Sequence, residues 1–182
     1  VERPDRKASH PYISGQAIRR YLRDTLDDLI NADKTIPEKM SPLEKSDDPK
    51  APVVTRGDPE EYIDDDLFGF MKAVKGETKK RESPLRVSPA FGLFPYTGDR
   101  DLGTRSAVEY VKEAEAGGAI FETEVTNNVF RTTLLLELDR IGRWQKFENV
   151  KGSDGQLKPD ARKRRASLLI QALKYLWGGG RR

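Results

Sequence analysis

The stretch AIFETEVTNNVFRTTLLLELD, residues 119–139, carries the clearest β signal in the chain. Two runs, 119–125 and 129–139, flank a short Thr-Asn-Asn turn, as expected of adjacent strands. In the second run Phe130, Thr132, Leu134, Leu136 and Leu138 share one face and Arg131, Thr133, Leu135 and Glu137 the other. One face is predicted to be core, and the other largely available for contacts.

Helices lie on either side of this β segment. After Ser14 the residues Ala17, Ile18, Leu22, Leu26, Leu29 and Ile30 recur at helical spacing, predicting an amphipathic helix over 14–30 with Ser14 as its N-cap. Arg19, Arg20 and Arg23 fall off the apolar stripe and are expected to form a basic face near the helix's positive end. A second helix is predicted over 159–177, with Ala166, Leu169, Ile170, Leu173 and Leu176 as its stripe. Its first turns hold Arg162, Lys163, Arg164 and Arg165, the wrong sign for a helix start, so local propensity does not explain them. The run Gly178–Gly180 stops it, followed by Arg181 and Arg182.

The intervening sequence is less regular. Residues 31–62 are rich in proline and charge without a period, predicting an extended arm, and the Arg56-Gly57-Asp58 tripeptide in it is read as accidental. DDDLFGFMKAVKG, 64–76, reads as a short helix with Leu67, Met71 and Val74 inward, ended by Gly76, the aspartates serving as caps. Leu85 and Val87 predict a strand between prolines, and 105–116 a helix. Phe68, Phe130 and Trp177 are read as core or its margin, whereas Phe91, Phe94 and Tyr96 lie in a broken arm where stacking on bases competes with packing.

Composition narrows the chemistry. The chain is 36% hydrophobic and 35% charged, so one core with large surface excursions is expected. Lys/Arg outnumber Asp/Glu six to two in residues 1–23 and twenty to thirteen in 78–182, but trail seven to fifteen in 24–77. Two basic ends around an acidic middle suit a nucleic-acid groove with an outward acidic arm. Cysteine is absent, which removes disulfides and thiolate metal sites. No apolar run approaches the roughly 20 residues of a membrane span, so no membrane partner and a cytoplasmic location are expected. The single histidine, His10, allows neither a conventional triad nor the usual zinc sets, though it could act as general base on an RNA 2′-hydroxyl. There is no phosphate-binding P-loop.

Five ordered segments together carry a resemblance: YISGQAIRRYLRD (12–24), DDDLFGFM (64–71), SPLRVSPA (83–90), IFETEVTNNVFRTTLLLELDRIG (120–142) and LLIQALKYLWGGGRR (168–182). The chain resembles the DevR-type backbone subunit of CRISPR type I surveillance complexes, the Cas-seven repeat subunit of Cascade, most closely its type I-B branch. The resemblance implies an α+β fold: a modified RNA-recognition-motif (ferredoxin-like) palm over 1–30 and 120–182, a finger-type insertion at 31–90 and a thumb-type insertion at 91–119. It implies no cofactor and no metal, and a protein that binds guide RNA (crRNA) without cutting it. Further copies line up along the RNA as a filament, a target DNA strand pairs with the guide, and other Cascade subunits complete the particle. On this basis Ser14, Gln16, Arg19, Arg20, Arg23, Gly178, Gly179, Gly180, Arg181 and Arg182 meet the guide backbone. Arg86, Phe94, Tyr96, Arg105 and Arg131 complete the expected RNA-binding set. The palm's terminal strands are expected before Val1 and after Arg182, so the chain reads as part of a longer protein.

Two other functions compete. A metal-independent endoribonuclease of the same superfamily would use His10, and a DNA-binding autoregulator would prefer duplex DNA, although no helix-turn-helix is recognisable.

Overall fold

A computed structural model describes residues 8–44, 54–74, 77–105, 119–148, 150 and 152–177. The fold is mixed α/β, made of small antiparallel sheets and two long helices. The chain divides into two compact units, one of residues 1–13 and 90–131, the other of 14–89 and 132–182.

In the larger unit, helix α1 (Gly15–Ala32) has Ser14 as its N-cap, as expected, with Ser14 Oγ accepting from the Ala17 amide at 3.1 Å. Ile18, Leu22, Thr25 and Leu26 are its buried face. Leu22 and Leu26 are fully buried, each contributing about 1.5–3 kcal/mol by leaving water. The arm after α1 is not free: strands β2 (Leu43–Glu44) and β3 (Val54–Thr55) pair, and Lys39 bridges to Tyr62.

The predicted helix over 64–76 is two elements. Helix α2 (Ile63–Phe68) ends at Gly69, and Phe70–Val74 is strand β4, paired with β5 (Glu77–Arg81). Gly69 takes φ +68°, where a side chain is disfavoured, and a Cβ there would sit 2.4 Å from the Arg81 carbonyl oxygen. The turn at Gly69 directs the following residues into a hairpin, and Met71 is exposed instead of lying on a helical stripe.

Strand β6 (Leu85–Val87) pairs with β11 (Leu134–Leu136). In the smaller unit β7 (Ala90–Gly92) lies between β1 (Tyr12–Ile13) and β10 (Phe130–Arg131). The long second strand predicted over 129–139 is therefore broken at Thr132–Thr133. Thr132 Oγ1 donates to the Ser88 carbonyl at 2.8 Å, the Thr133 amide to Ser88 Oγ at 3.0 Å, and the Ser88 amide to the Thr133 carbonyl at 3.0 Å. Side chains take over a ladder that Pro89, without an N–H, cannot continue. The alternation itself holds: Phe130, Thr132, Leu134 and Leu136 are half-buried, while Arg131, Thr133 and Leu135 are exposed. Leu138, expected on the inner face, is exposed.

Residues 119–125 form β9 (Ala119–Val125), which pairs with β8 (Asp99–Arg105) and not with the strand that follows it. The predicted helix over 105–116 lies outside the described residues, apart from Arg105, which ends β8.

Strands β12 (Arg143–Trp144) and β13 (Gly155–Gln156) pair ahead of helix α3 (Pro159–Lys174), which has proline at its start. Its buried face is Arg165, Leu168, Leu169 and Ala172. That face is rotated from the predicted stripe: Ile170 and Leu176 are exposed, and so are Tyr175 and Trp177 beyond the helix end. An arginine takes the place an apolar pattern cannot reveal.

Candidate nucleic-acid interface

A cleft of about 650 Å³ opens where α1 begins, lined by Ser14, Gly15, Gln16, Arg19, Glu82, Ser83, Leu85, Arg86, Val87 and Pro89. The helix starts against β6 because Gly15 lets the backbones meet: a Cβ would lie 2.6 Å from the Val87 carbonyl oxygen. The first amides of a helix lack acceptors within it and carry its positive end, so this mouth favours an anion. Gln16 is exposed beside it, and Arg86 is 60% exposed, held at 3.0 Å by Glu137.

The three arginines of α1 do not form one basic face. Arg19 lines the cleft but spends its guanidinium on the fold, with Nη1 donating to Leu85 O (2.7 Å) and Ser83 Oγ (3.1 Å), Nη2 to Phe68 O (2.5 Å), and the Phe68 ring beneath it. Arg23 pairs with buried Asp64 at 2.5 Å. Arg20 projects into solvent, where it pairs with Asp24 one turn on. Arg20 and Arg23 line a separate cleft of about 170 Å³ together with Asp24, Asp27 and Met40.

The other predicted residues are scattered. Arg131 is exposed on β10 of the smaller unit. Phe94 is exposed, its backbone clamped by Asn128, whose amide accepts from Phe94 N–H and donates to Phe94 C=O. Tyr96 is half-buried, and its hydroxyl is buried without a partner among the described residues. Arg105 ends β8, and 178–182 lie outside the described residues. His10 Nδ1 sits 3.0 Å from the Gly92 carbonyl oxygen, a backbone tether.

The aspartate triplet, read as capping, is instead a buried hub. Asp64 takes Arg23 and the Ser41 amide, and Asp65 takes the amides of Gly57 and Asp58. Asp66 takes Arg81 (2.6 Å), Arg165 (2.8 Å) and the Gly142 amide. Glu148 faces Arg81 at 3.4 Å, so two buried carboxylates balance two buried guanidiniums. Burial pushes the Asp64 carboxyl above the ordinary aspartate value, with Arg23 opposing the shift. Arg162 donates to the carbonyls of Ile141, Leu138 and Asp139, and Arg164 pairs with buried Glu38. The sequence signal for this arrangement was the run of arginines of the wrong sign at the start of α3, legible only when taken as partners of the aspartates at the start of α2.

An α+β chain of small antiparallel sheets, with an open anion-favouring helix start beside an exposed arginine, is the class that fold and site define. The chain belongs to the CRISPR-associated DevR family: the family described as "CRISPR-associated negative auto-regulator DevR/Csa2" matches residues 5–180. It is 32% identical over 97 residues to a Myxococcus xanthus (strain DK1622) protein described as "CRISPR-associated protein Cas7/Cst2/DevR", covering 50% of this chain and 32% of that one. A chain of a "CRISPR RNA-guided surveillance complex, pre-nicking" shares the fold, with a TM-score of 0.51 at 13% identity, covering 96% of this chain and 65% of its own. A chain of a "CRISPR RNA-guided surveillance complex" has a TM-score of 0.48 at 12% identity, covering 99% and 56%. The chain thus spans about a third of the curated relative's length and under two thirds of either structural neighbour. Among the described residues no helix is long and apolar enough to cross a membrane.

Proposed function

We propose that this chain is the guide-RNA-binding backbone subunit of a type I CRISPR surveillance complex, of the I-B branch, and that it binds without cutting. Its palm is a modified RNA-recognition motif bearing finger and thumb insertions. Copies line up head to tail on the guide in the cytoplasm, with other Cascade subunits, and present bases to a target DNA strand. The observation that carries this reading is the open cleft at the start of α1, in a chain of a CRISPR-associated family.

The cleft supplies the positive end of α1, the Gln16 side chain and the Arg86 guanidinium, all suited to phosphate oxygens and none confined to a base edge. Such contacts fix the position of a strand and ignore its sequence. Affinity then falls steeply with salt as counterions are released. The bond of His10 to Gly92 supports a structural role for the histidine.

The test is fluorescence anisotropy with several unrelated single-stranded RNAs across a salt series, comparing the parent with Gln16→Ala/Arg86→Ala. Similar affinities, a steep slope, and a slope smaller by about 1 in the variant are expected. No binding, or an unchanged slope, refutes the cleft. RNA cleavage lost in His10→Ala would establish the endoribonuclease instead, and preference for duplex DNA the autoregulator.

A further inference from the structure

We infer that the outward face of the β1–β7–β10 sheet is a stacking platform for unpaired bases of single-stranded nucleic acid, built by Tyr12, Phe91 and Arg131. The inference rests on the RNA-binding reading above, but uses a different surface and a different chemistry.

Register places the three side chains in one row. Tyr12 and Arg131 are both direct partners of Phe91, on either side of the central strand. Residues opposite one another in a sheet share a face, so the row crosses all three strands. Tyr12 is 64% and Phe91 43% exposed, and Arg131 is exposed as well. On the opposite face Ala90 and Gly92 are buried, and Ile13 and Phe130 half-buried, so the sheet already has its packing side. The two rings therefore add little to the core and present aromatic area to water.

Their arrangement suits planar ligands. The rings stand beside each other, centroids 6.1 Å apart and tilted by 34°, so each keeps a face for a base. Every base has a π-face, so such contacts tolerate any sequence. Arg131 forms no ion pair among the described residues, which leaves its guanidinium for a base plane or a phosphate.

The platform is also held in place. His10 bonds to the Gly92 carbonyl, the Gly92 amide donates to Pro11 O at 2.8 Å, and the Leu93 amide to Val129 O at 2.8 Å. These bonds fix both outer strands against β7 without using the exposed side chains. His10 is a positioning residue in this arrangement.

The experiment compares the full chain with Tyr12→Leu/Phe91→Leu, which keeps apolar bulk and removes the π-faces. Both are titrated with a mixed-sequence single-stranded RNA and with an abasic version of the same backbone, with circular dichroism verifying the fold. The expected result is a loss of about 5- to 150-fold on the base-containing strand and no change on the abasic one. Parent-like binding by the leucine variant overturns the platform and leaves the cleft reading standing. Equal loss on both strands also overturns it, because the rings would then act through the fold. If RNA binding holds but sedimentation of the variant shifts to smaller species, the face docks a second copy and the stacking role is refuted. A parent that binds neither strand removes the RNA-binding reading as well.

Discussion

Arg165 on α3 donates from Nη1 to Asp66 Oδ2 on α2 at 2.8 Å, across 99 residues of chain, with both side chains almost wholly buried. Arg81 takes the other oxygen, so one carboxylate joins the β4–β5 hairpin and both helices. Removing it would leave two buried guanidiniums short of a counter-charge. Asp66→Ala should therefore lose about 3–5 kcal/mol in urea unfolding. A loss under about 1 kcal/mol would show that the hub does not hold these elements together.

Arg19 and Arg20 are neighbours with opposite duties. Arg19→Ala removes three hydrogen bonds from a charged donor and should cost about 1.5–3 kcal/mol, with Arg19→Lys failing to restore them because an ammonium lacks the fork. Arg20→Ala, in an exposed pair with Asp24, should stay within about 0.5 kcal/mol of the parent. Thermal melts of the three variants distinguish a fold-holding arginine from a surface one.

Gly69→Ala should be far more damaging than Gly152→Ala. Both glycines have positive φ, +68° and +69°, where a side chain costs about 1–3 kcal/mol of backbone strain. At Gly69 the new methyl also meets backbone, at 2.4 Å from Arg81 O and 2.7 Å from Ser83 N, whereas at Gly152 nothing lies within 4 Å. Equal losses in the two variants would show that the α2–β4 turn is not constrained as described.

Acid should act on two carboxylates in opposite senses. The bond from Arg140, aided by Arg86, holds Glu137 below the ordinary glutamate range. Its contribution to stability is present above that range and lost as pH falls through the lowered value. The parent's advantage over Glu137→Gln should therefore shrink on acidification. Asp64, raised by burial, contributes fully below the ordinary aspartate range and loses that contribution as pH rises through its raised value. Asp64→Asn should gain on the parent as pH rises through that window, a trend that denaturation at several pH values checks.

Local features were the legible ones. Ser14 and the stripe through Leu22 and Leu26 follow from one helix's own geometry, and the alternation from Phe130 to Leu136 from one strand's. What escaped were matters of partnership. Nothing within residues 119–125 says that they pair backward with 99–105. The buried face of α3 was misplaced by one residue because Arg165 counts as polar in any hydrophobic pattern, although its charge is cancelled inside. The site was legible as residue types and less so as geometry: charge alone does not say which arginine of Arg19, Arg20 and Arg23 faces water.

The bonds of Ser88 with Thr132 and Thr133 act as a clasp at the neck of an excursion. They hold Ser88 beside Thr132 and Thr133, and the pairing of Gly92 with Phe130 likewise pins the two ends of the chain that runs between β7 and β10. Once a loop's ends are pinned, doubling its length costs only about 0.6 kcal/mol in closure entropy. Evolution is then free to lengthen, shorten or exchange the chain between β7 and β10 as a cassette. Size differences among members of the family should concentrate between the positions of Gly92 and Phe130.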